Sequence, residues 1–430
     1  MIHTTTRTGL INLVLFVFGV FAMTEAVLGA GQEPAAASSQ ARDYRFDGRI
    51  SREVLENYLS RSVSFTELLH DDLSQPRNRR GVDPRDNIRF ILNTGAKFVG
   101  RAIMCWGRER ELDTLLRNAR VFAQRLHQAD PDIVLQGAAF EIVTRGVETV
   151  AIPEYVLAEF GQPITKRNFR FDDICYPSGN HRMGRGMVPD MSRLETRMWF
   201  YYLATQYIDA GIEAIHFGQV SLMDKNDRKH AGWLDMLGRV RAYAHQHARR
   251  HFVICDAHTP TGGIVEDGHL LFDAHAFPLR ISEVPDQPLK GFLQIGYTDS
   301  IFTRSKGGIT PSGWSCEHLP FLVEFDNFGG RNQGHSSGGT IFIWGYDEIT
   351  WFSILPEADR NQWLRYAGNW IKENDPNGHL EMPASRVISP GRSSSGPRWY
   401  WANTRSNACP DGSNTERTIK EIWAADSAGE

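Results

Sequence analysis

Two glutamates stand inside apolar runs, where a charged side chain is costly unless it is paired or used. Glu141 lies within the run 138–143, and Glu324 lies within the run 321–325. An ionised carboxylate in such surroundings loses its hydration, so it is either partnered or catalytic. Asp256 follows a further apolar run and is a third candidate. These residues suit proton transfer or nucleophilic attack, because a carboxyl group does either according to its pKa.

Two carboxyl groups that face one cavity are what the hydrolysis of a glycosidic bond requires. One of them, with a raised pKa, protonates the leaving oxygen. The other attacks the anomeric carbon or activates a water molecule, and their separation decides the stereochemical outcome. We therefore predict that Glu324 acts with either Glu141 or Asp256 as the catalytic pair.

Aromatic and polar side chains near these carboxylates are typical of a sugar-binding site. A tryptophan ring offers an apolar platform to one face of a sugar, and polar side chains hydrogen-bond its hydroxyl groups. The predicted substrate-binding residues are Trp106, Arg101, His216, Gln219, His258, His275, Asp326, Trp344 and Trp351. For the tryptophans, packing against loop insertions is the alternative role.

Two other functions fit some of the same residues. The triplet Asp-Ala-His occurs at 256–258 and again at 273–275, and with neighbouring carboxylates it could bind a divalent metal in a barrel hydrolase or isomerase. Our primary prediction has no metal ligand and no cofactor, with the divalent metal as the alternative. Gln219 supports a third possibility, a non-catalytic carbohydrate-binding barrel, because an amide does not transfer protons.

Eight apolar runs predict the buried strands that position these residues. They cover 96–105, 132–142, 213–222, 251–257, 269–275, 291–297, 320–326 and 340–346. Helices are predicted over 111–128, 192–210, 231–249 and 357–372, and two shorter ones begin near Ser51 and Ser64. Because parallel strands buried on both faces give continuous apolar runs, we predict an α/β protein. Its fold is a (β/α)8 TIM-type barrel with irregular loop insertions, and catalytic groups at the carboxyl ends of its strands.

The N-terminal thirty residues follow the order of a secretory signal peptide. Arg7 precedes the apolar run 10–23, which is too short to span a bilayer, and small residues follow up to Ala30. We predict a signal peptide over 1–30, a linker over 31–45, the barrel with N-terminal helices over 46–374, and a C-terminal extension over 375–430 that packs on the barrel. The predicted location is secreted or periplasmic, with no membrane attachment after signal removal.

The charge balance argues against polyanionic partners of the nucleic-acid kind. The chain has 430 residues, with 47 basic and 51 acidic side chains and a net charge of -4. Nucleic acids and anionic membranes select basic surfaces, so the predicted partner is a carbohydrate and neither of those. The five cysteines form no C-x-x-C pair, which excludes a zinc ribbon or a redox motif of that type.

An exported, tryptophan-rich (β/α)8 chain with Glu or Asp at several strand ends resembles the barrel-type glycoside hydrolases. In the largest clan of these enzymes, strand four ends in Asn-Glu, the acid/base, and strand seven ends in the nucleophilic Glu. Glu324 matches the strand-seven position. The predicted fourth strand ends at 255–258 without Asn-Glu, so the acid/base role falls to Asp256 or Glu141. The resemblance implies a secreted glycosidase that cleaves a polysaccharide or an oligosaccharide, at the level of the superfamily.

Overall fold

Parallel strands arranged in a ring form the centre of the molecule. The computed structural model describes residues 42–177, 181–182, 186–330, 334–393 and 396–428. The strands of the main sheet are β1 (Ser62–Phe65), β2 (Phe98–Met104), β3 (Val134–Ala138), β4 (Ala214–Gln219), β5 (Ile254–His258), β6 (Ala274–Pro278), β7 (Phe321–Glu324), β8 (Gly378–Leu380), β9 (Met382–Ser393) and β10 (Gly396–Trp401). Strands β1 to β8 pair in that order, and each pair is parallel.

The ring closes because β8 and β9 together occupy one position in it. β8 pairs with β7, β9 pairs with β1, and only Glu381 separates the two strands. Eight parallel positions thus surround a closed interior, which is the arrangement of a (β/α)8 barrel. The predicted fold class is confirmed. β10 pairs antiparallel with β9 and extends the sheet beyond the ring.

Two of the eight predicted strands are absent from the barrel, and its first and last positions are taken by strands that were not predicted. The run 291–297 supplies only the two-residue strand Gly291–Phe292, and 340–346 contains no strand at all. These two runs are apolar because they pack within the loop insertions, where Leu293, Ile343 and Trp344 are buried. β1 and the β8–β9 pair lack long apolar runs because polar side chains interrupt them, so neither was predicted.

This difference changes the numbering of the predicted strands and the residue at which the barrel ends. The fourth strand is β4, which ends at Gln219, and the run 251–257 belongs to the fifth strand. Glu324 keeps its place at the end of the seventh strand. The barrel also continues past residue 374, since β8 and β9 lie in what was predicted to be a separate C-terminal extension.

Helices cover the outside of the ring and one of its ends. They are α1 (Arg52–Leu59), α2 (Pro84–Thr94), α3 (Leu112–Ala129), α4 (Leu194–Asp209), α5 (Ala231–His247), α6 (Glu348–Ile354), α7 (Glu357–Asn374) and α8 (Glu416–Ala428). The helix predicted from Ser64 is wrong, because that residue lies in β1. The Glu67 carboxylate, which would have completed that helix's cap, instead bonds Arg79 and Arg80.

The inner face of the barrel changes from apolar to polar along the strands. At the amino-terminal end, the strand residues Phe98, Val134, Ala214, Ile254, Ala274 and Leu322 pack with side chains of α1. Strand side chains alternate between the two faces, so the residues two positions further on also point inward. That second layer contains Gln136, His216, Asp256 and Glu324. Helix α1 therefore closes the apolar end, and the polar side chains are presented towards the carboxyl ends.

Several other predictions concern the termini and the cysteines. The predicted signal peptide over 1–30 and most of the predicted linker lie outside the described residues. Within the described part of the chain, no helix is long and apolar enough to cross a membrane. All five cysteines are free thiols, and Cys105 and Cys255 are buried in the core. The Trp399–Trp401 segment lies in β10 and packs back on the barrel, with Trp401 buried.

Candidate active site

A cavity of about 1330 Å³ opens at the carboxyl ends of the barrel strands. Its walls include the residues that follow β1 to β7 and the inner side of the β9–β10 hairpin. Eight of the predicted site residues line it, namely Arg101, Trp106, Glu141, His216, Gln219, His258, Glu324 and Asp326. The carboxyl-terminal face is where (β/α)8 enzymes carry their active sites. This cavity is therefore the candidate active site.

Glu324 lies at the base of the cavity between two arginines. Arg101 Nε donates to Glu324 Oε2 at 2.8 Å, and the Arg101 and Arg386 guanidinium groups each donate a further, short hydrogen bond to the same carboxylate. Burial opposes the charged form of Glu324, but the two arginines outweigh it and lower its pKa to about 2. Glu324 is thus an ionised carboxylate at neutral pH, although the residue is only 6 % exposed.

The backbone of β2 is bent to aim Arg101 at this carboxylate. Arg101 has a φ of 55°, a left-handed conformation that is uncommon for a residue with a side chain. The pairing register with β3 shifts between Val99 and Ile103, as at a bulge. The Arg101 N–H, which leaves the strand ladder there, donates to Gln136 Oε1 at 2.9 Å. Such local strain concentrates at functional sites.

Asp256 and His216 form a buried pair beside Glu324. His216 Nδ1 donates to Asp256 Oδ2 at 2.7 Å, and Gln136 Nε2 donates to Asp256 Oδ1 at 2.6 Å. Because a carboxylate oxygen only accepts hydrogen bonds, the imidazole carries a proton on Nδ1, and the contact fixes the orientation of the ring. His216 lines the cavity while Asp256 lies behind it. Asp256 is therefore placed to orient an imidazole rather than to contact a ligand.

Glu141 is held by the end of the neighbouring strand β4. The Gln219 N–H donates to Glu141 Oε2 at 3.0 Å, and Gln219 Nε2 lies 3.3 Å from Oε1. Gly218, with a φ of 59°, makes this contact possible. A Cβ atom on Gly218 would lie 2.3 Å from Glu141 Oε2, so only glycine fits. The strand end thus fixes Glu141, which is 3 % exposed, in the cavity wall.

A third cluster surrounds Arg280 after β6. Arg280 Nε donates to Asp299 at 2.5 Å, and Nη1 donates to Asp326 at 2.9 Å. His258, at the end of β5, is packed against Phe277 with ring centroids 4.4 Å apart. Burial lowers the pKa of His258 to about 4, against the attraction of Asp326. His258 is therefore a neutral imidazole at pH 7, able to donate and to accept hydrogen bonds.

Glu381, between β8 and β9, is a second buried glutamate inside the barrel. Burial, followed by repulsion from Glu324, raises its pKa to about 8, and the attraction of nearby arginines does not compensate. A Cβ atom on Gly100 would lie 1.8 Å from Glu381 Oε1, so the glutamate occupies the space that a larger residue on β2 would need. At neutral pH Glu381 is a protonated carboxyl group below the cavity.

Aromatic rings line two parts of the cavity. Trp106 packs edge-on against Phe140, with ring centroids 4.8 Å apart, beside Glu141. Trp399 and Trp401 stack 6.2 Å apart on β10. Trp106, Phe140 and Trp399 are half-buried and so present part of each ring to the cavity. Such surfaces suit the apolar face of a sugar ring.

The structure corrects the placement of four predicted site residues. Asp256 lies behind the cavity wall, as described above. His275 is buried and contacts Ser305, while Trp344 and Trp351 donate their indole N–H groups to the backbone oxygens of Lys290 and Leu289. None of these three lines the cavity. Their apolar surroundings made them resemble site residues, but they pack the loop insertions.

The two Asp-Ala-His triplets do not converge on one point. Asp256 bonds His216 and Gln136 inside the barrel, whereas Asp273 accepts from the Cys255 N–H at 3.0 Å and lies 3.5 Å from Arg241. Among the described residues there is no group of three or more His, Cys, Asp or Glu side chains arranged to hold a metal. The repeated triplet therefore reflects two separate structural contacts.

Several cavity or barrel residues were not predicted. They are Gln136, Arg280, Asp299, Glu381, Arg386 and Trp399. Gln136 carries a detectable signal, since it is a polar residue on the inner face of an otherwise apolar strand. Glu381 and Arg386 were missed along with their strands. Arg280 and Asp299 lie in loops, where no periodic pattern marks the side that faces a cavity.

No family model matches the chain, and no curated protein is similar to it in sequence. Among solved structures, it is similar to AmyP in complex with maltose, at 10 % identity and a TM-score of 0.45, over 87 % of this chain and 80 % of that one. It is also similar to the Nostoc punctiforme debranching enzyme soaked with acarbose, at 10 % identity and a TM-score of 0.42, over 86 % and 82 %. The α-amylase of Geobacillus thermoleovorans complexed with acarbose matches at 9 % identity and a TM-score of 0.42, over 86 % and 79 %. The barrel itself is defined by its own strand pairing, and these distant likenesses assign no role to any residue.

Proposed function

We propose that the protein is a glycoside hydrolase that cleaves a polysaccharide or an oligosaccharide with Glu324 and Glu141. The observation that carries the proposal is the position of these two carboxylates in one cavity. Glu324 is the last residue of β7 and Glu141 follows β3, and positions three and seven lie opposite each other in a ring of eight. A glycosidic bond bound across the barrel axis would lie between them, as this reaction requires.

The surroundings of the two carboxylates indicate which one would act as the nucleophile or base and which one as the general acid. Glu324 is kept ionised by Arg101 and Arg386, so it is suited to attack the anomeric carbon or to activate a water molecule. Glu141 would then protonate the leaving oxygen. Gln219, at the end of the fourth strand, holds Glu141 in place and does not itself transfer a proton. In this arrangement Glu141, which follows β3, is the general acid, and Gln219 at the end of β4 holds it in position.

Other side chains would bind the sugar. His216, oriented by Asp256, and the neutral His258 offer ring nitrogens to hydroxyl groups, and Asp326 offers a carboxylate oxygen. Trp106 and Phe140 would pack against one sugar face near Glu141. The cavity volume exceeds the roughly 300–1,000 Å³ of an ordinary small-molecule pocket, which supports a substrate of several sugar units. An exported enzyme of this kind would act on glycans outside the cytoplasm.

The test is hydrolysis of a panel of polysaccharides, followed as newly formed reducing ends, by the wild type and by Glu324→Gln and Glu141→Gln. Each substitution should lower the rate on the order of a hundred-fold or more, because each removes a group that forms or breaks a bond. The matched control is Glu195→Gln on α4. Glu195 is also largely buried and also pairs with an arginine, Arg167, but it does not line the cavity.

Three results would count against the proposal. Full activity in both cavity variants would overturn the assignment of the pair. Glycan binding without any turnover would favour a non-catalytic carbohydrate-binding barrel. Loss of activity on chelation, together with tightly bound metal, would favour a metal-dependent hydrolase.

A further inference from the structure

The charges of the cavity are separated between its two sides. The side formed by β1, β2 and the β9–β10 hairpin carries five arginines, Arg79, Arg80, Arg101, Arg386 and Arg398, against the acidic residues Glu67 and Asp411. The side formed by β3 to β6 and the loops after β6 and β7 carries three carboxylates, from Glu141, Asp299 and Asp326, against Arg280. Glu324 lies between the two sides, bonded to Arg101 and Arg386. The net charge of the chain is close to neutral, so this separation is a property of the cavity and not of the overall composition.

Several of these guanidinium groups have hydrogen-bonding capacity to spare. Arg80 Nη2 donates to Glu67 at 2.5 Å, but its Nε and Nη1 atoms are buried without a partner among the described residues. The Arg80 side chain is 5 % exposed and stacks on Trp399, with its guanidinium carbon 3.9 Å from the ring centroid. These buried atoms lie out of a ligand's reach, but the charge of a buried guanidinium group is little screened by water and attracts an anion at the cavity wall.

Arg398 and Arg79 flank Arg80 with more accessible charge. Arg398 is exposed and lines the cavity, and its side chain has no hydrogen bond or ion pair with any described residue, although its backbone pairs with Ile388 in the β9–β10 ladder. The Arg79 side chain is 53 % exposed and shares the Glu67 carboxylate with Arg80. Arg79 and Arg80 therefore share one carboxylate, and Arg398 adds a third guanidinium group to the cavity lining, next to the half-buried ring of Trp399.

We infer that this arginine side binds the negatively charged group of an anionic polysaccharide, a uronic acid carboxylate or a sulfate ester. A guanidinium group presents donors in a planar fork that matches both oxyanions, and Trp399 offers a face for the sugar ring that carries them. The inference rests on the proposed function, because it specifies the substrate class of the same cavity. It places the anionic group beside β1 and β9, away from the acidic side where Glu141 lies.

The test compares the binding of oligogalacturonate, a sulfated carrageenan oligosaccharide and neutral cellohexaose by calorimetry, with turnover followed separately. At low salt, we expect at least one anionic ligand to bind on the order of ten-fold more tightly than cellohexaose, with a preference that shrinks as salt is added. Arg398→Gln should reduce this preference, and Arg79→Gln should do so independently. Both side chains are exposed, so their loss should not unfold the protein.

The control is Arg417→Gln, which removes an exposed arginine of α8 that lies outside the cavity. Equal or weaker binding of both anionic ligands, or a preference that Arg398→Gln and Arg79→Gln leave unchanged, would overturn the inference. Cleavage of neutral glycans alone would overturn it and leave the proposed function standing. Tight anionic binding without turnover would support the inference and count against the proposed function.

Discussion

Two buried glutamates in neighbouring positions of the barrel differ in charge. Glu324 ends β7 and Glu381 lies between β8 and β9, and both are less than a tenth exposed. The pKa of Glu324 is lowered to about 2, whereas the pKa of Glu381 is raised to about 8. Burial pushes both values upward, so depth in the barrel does not explain the difference.

The difference lies in the arginines that reach each carboxylate. Arg101 and Arg386 both donate hydrogen bonds to Glu324, while no described residue donates one to the Glu381 side chain. Once Glu324 is ionised, its charge opposes a second charge on Glu381. The pKa values of these two adjacent carboxyl groups are thus separated, which gives the barrel one ionised and one protonated carboxyl group at neutral pH.

Removing one of the two arginines should have the largest effect. Arg386→Met leaves Glu324 with a single cationic partner, so its pKa should rise and the acid limb of the pH–rate profile should move to higher pH. The protein should also lose about 3 kcal/mol of stability, because a buried ion pair is broken. Denaturation and a pH–rate profile measure the two effects.

The control for this substitution is Arg360→Met on α7. Arg360 is equally buried but donates to backbone oxygens such as that of Leu355. Arg360→Met should lower the free energy of unfolding without moving the acid limb of the pH–rate profile. An acid limb that stays in place in Arg386→Met would show that this arginine does not set the charge of Glu324.

Asp256→Asn should have the next largest effect. Asn no longer offers two acceptor oxygens, so it disturbs either the His216 Nδ1 contact or the Gln136 contact. With the imidazole no longer fixed, we expect the rate to fall on the order of ten- to a hundred-fold. Asp273→Asn is a matched control, because it alters the second Asp-Ala-His triplet outside the cavity. Similar rate losses in both variants would contradict a special role for Asp256.

Glu381→Gln should stabilise the protein at alkaline pH. A raised pKa means that the folded state holds a proton that the unfolded state has released between about pH 4.5 and 8, so stability falls as pH rises through that window. Glutamine does not ionise, so the variant should gain about 3 kcal/mol of stability, relative to the wild type, near pH 8 compared with pH 5. Chemical denaturation at both pH values measures this. An equal change in stability at the two pH values would refute a neutral Glu381.

The smallest effect is expected for Trp344→Phe. Its indole bonds the Lys290 backbone oxygen within a loop insertion, so the substitution should cost about 1 kcal/mol of stability and leave glycan affinity unchanged. Trp106→Phe, at the cavity, should weaken glycan binding instead. Titration of both variants with the glycan that the enzyme cleaves measures their affinities. A loss of affinity in Trp344→Phe would show that Trp344 belongs to the binding site after all.

The sequence predicted the barrel and two of the carboxylates that line its cavity because both leave local signals. Glu324 and Glu141 stand out against apolar neighbours, and β2 to β5 are continuous apolar runs. β1 and the β8–β9 pair carry Ser64, Glu381 and Arg386 on short or interrupted strands, so their pattern does not resemble a buried strand.

The partners of the carboxylates leave no such signal. Arg101 and Glu324 are 223 residues apart, and only ring closure brings them together. Arg101 was predicted as a sugar-binding residue, but nothing in the local sequence indicates that its guanidinium group pairs with Glu324. The left-handed turn that aims it at Glu324 likewise has no glycine to mark it. Those features required the three-dimensional structure.

The central claim is that the barrel holds an ionised Glu324 beside a protonated Glu381, and carbon NMR of glutamate side-chain carboxyls tests it most directly. At about pH 6, the buried carboxyls of Glu381 and Glu348, whose pKa values are raised to about 8 and about 7, should both give the shift of the neutral form. One of these two neutral resonances should vanish in Glu381→Gln and the other in Glu348→Gln, so that neither belongs to Glu324, whose pKa is lowered to about 2. If both neutral resonances remain in Glu381→Gln, Glu381 is ionised at this pH, and the account is contradicted.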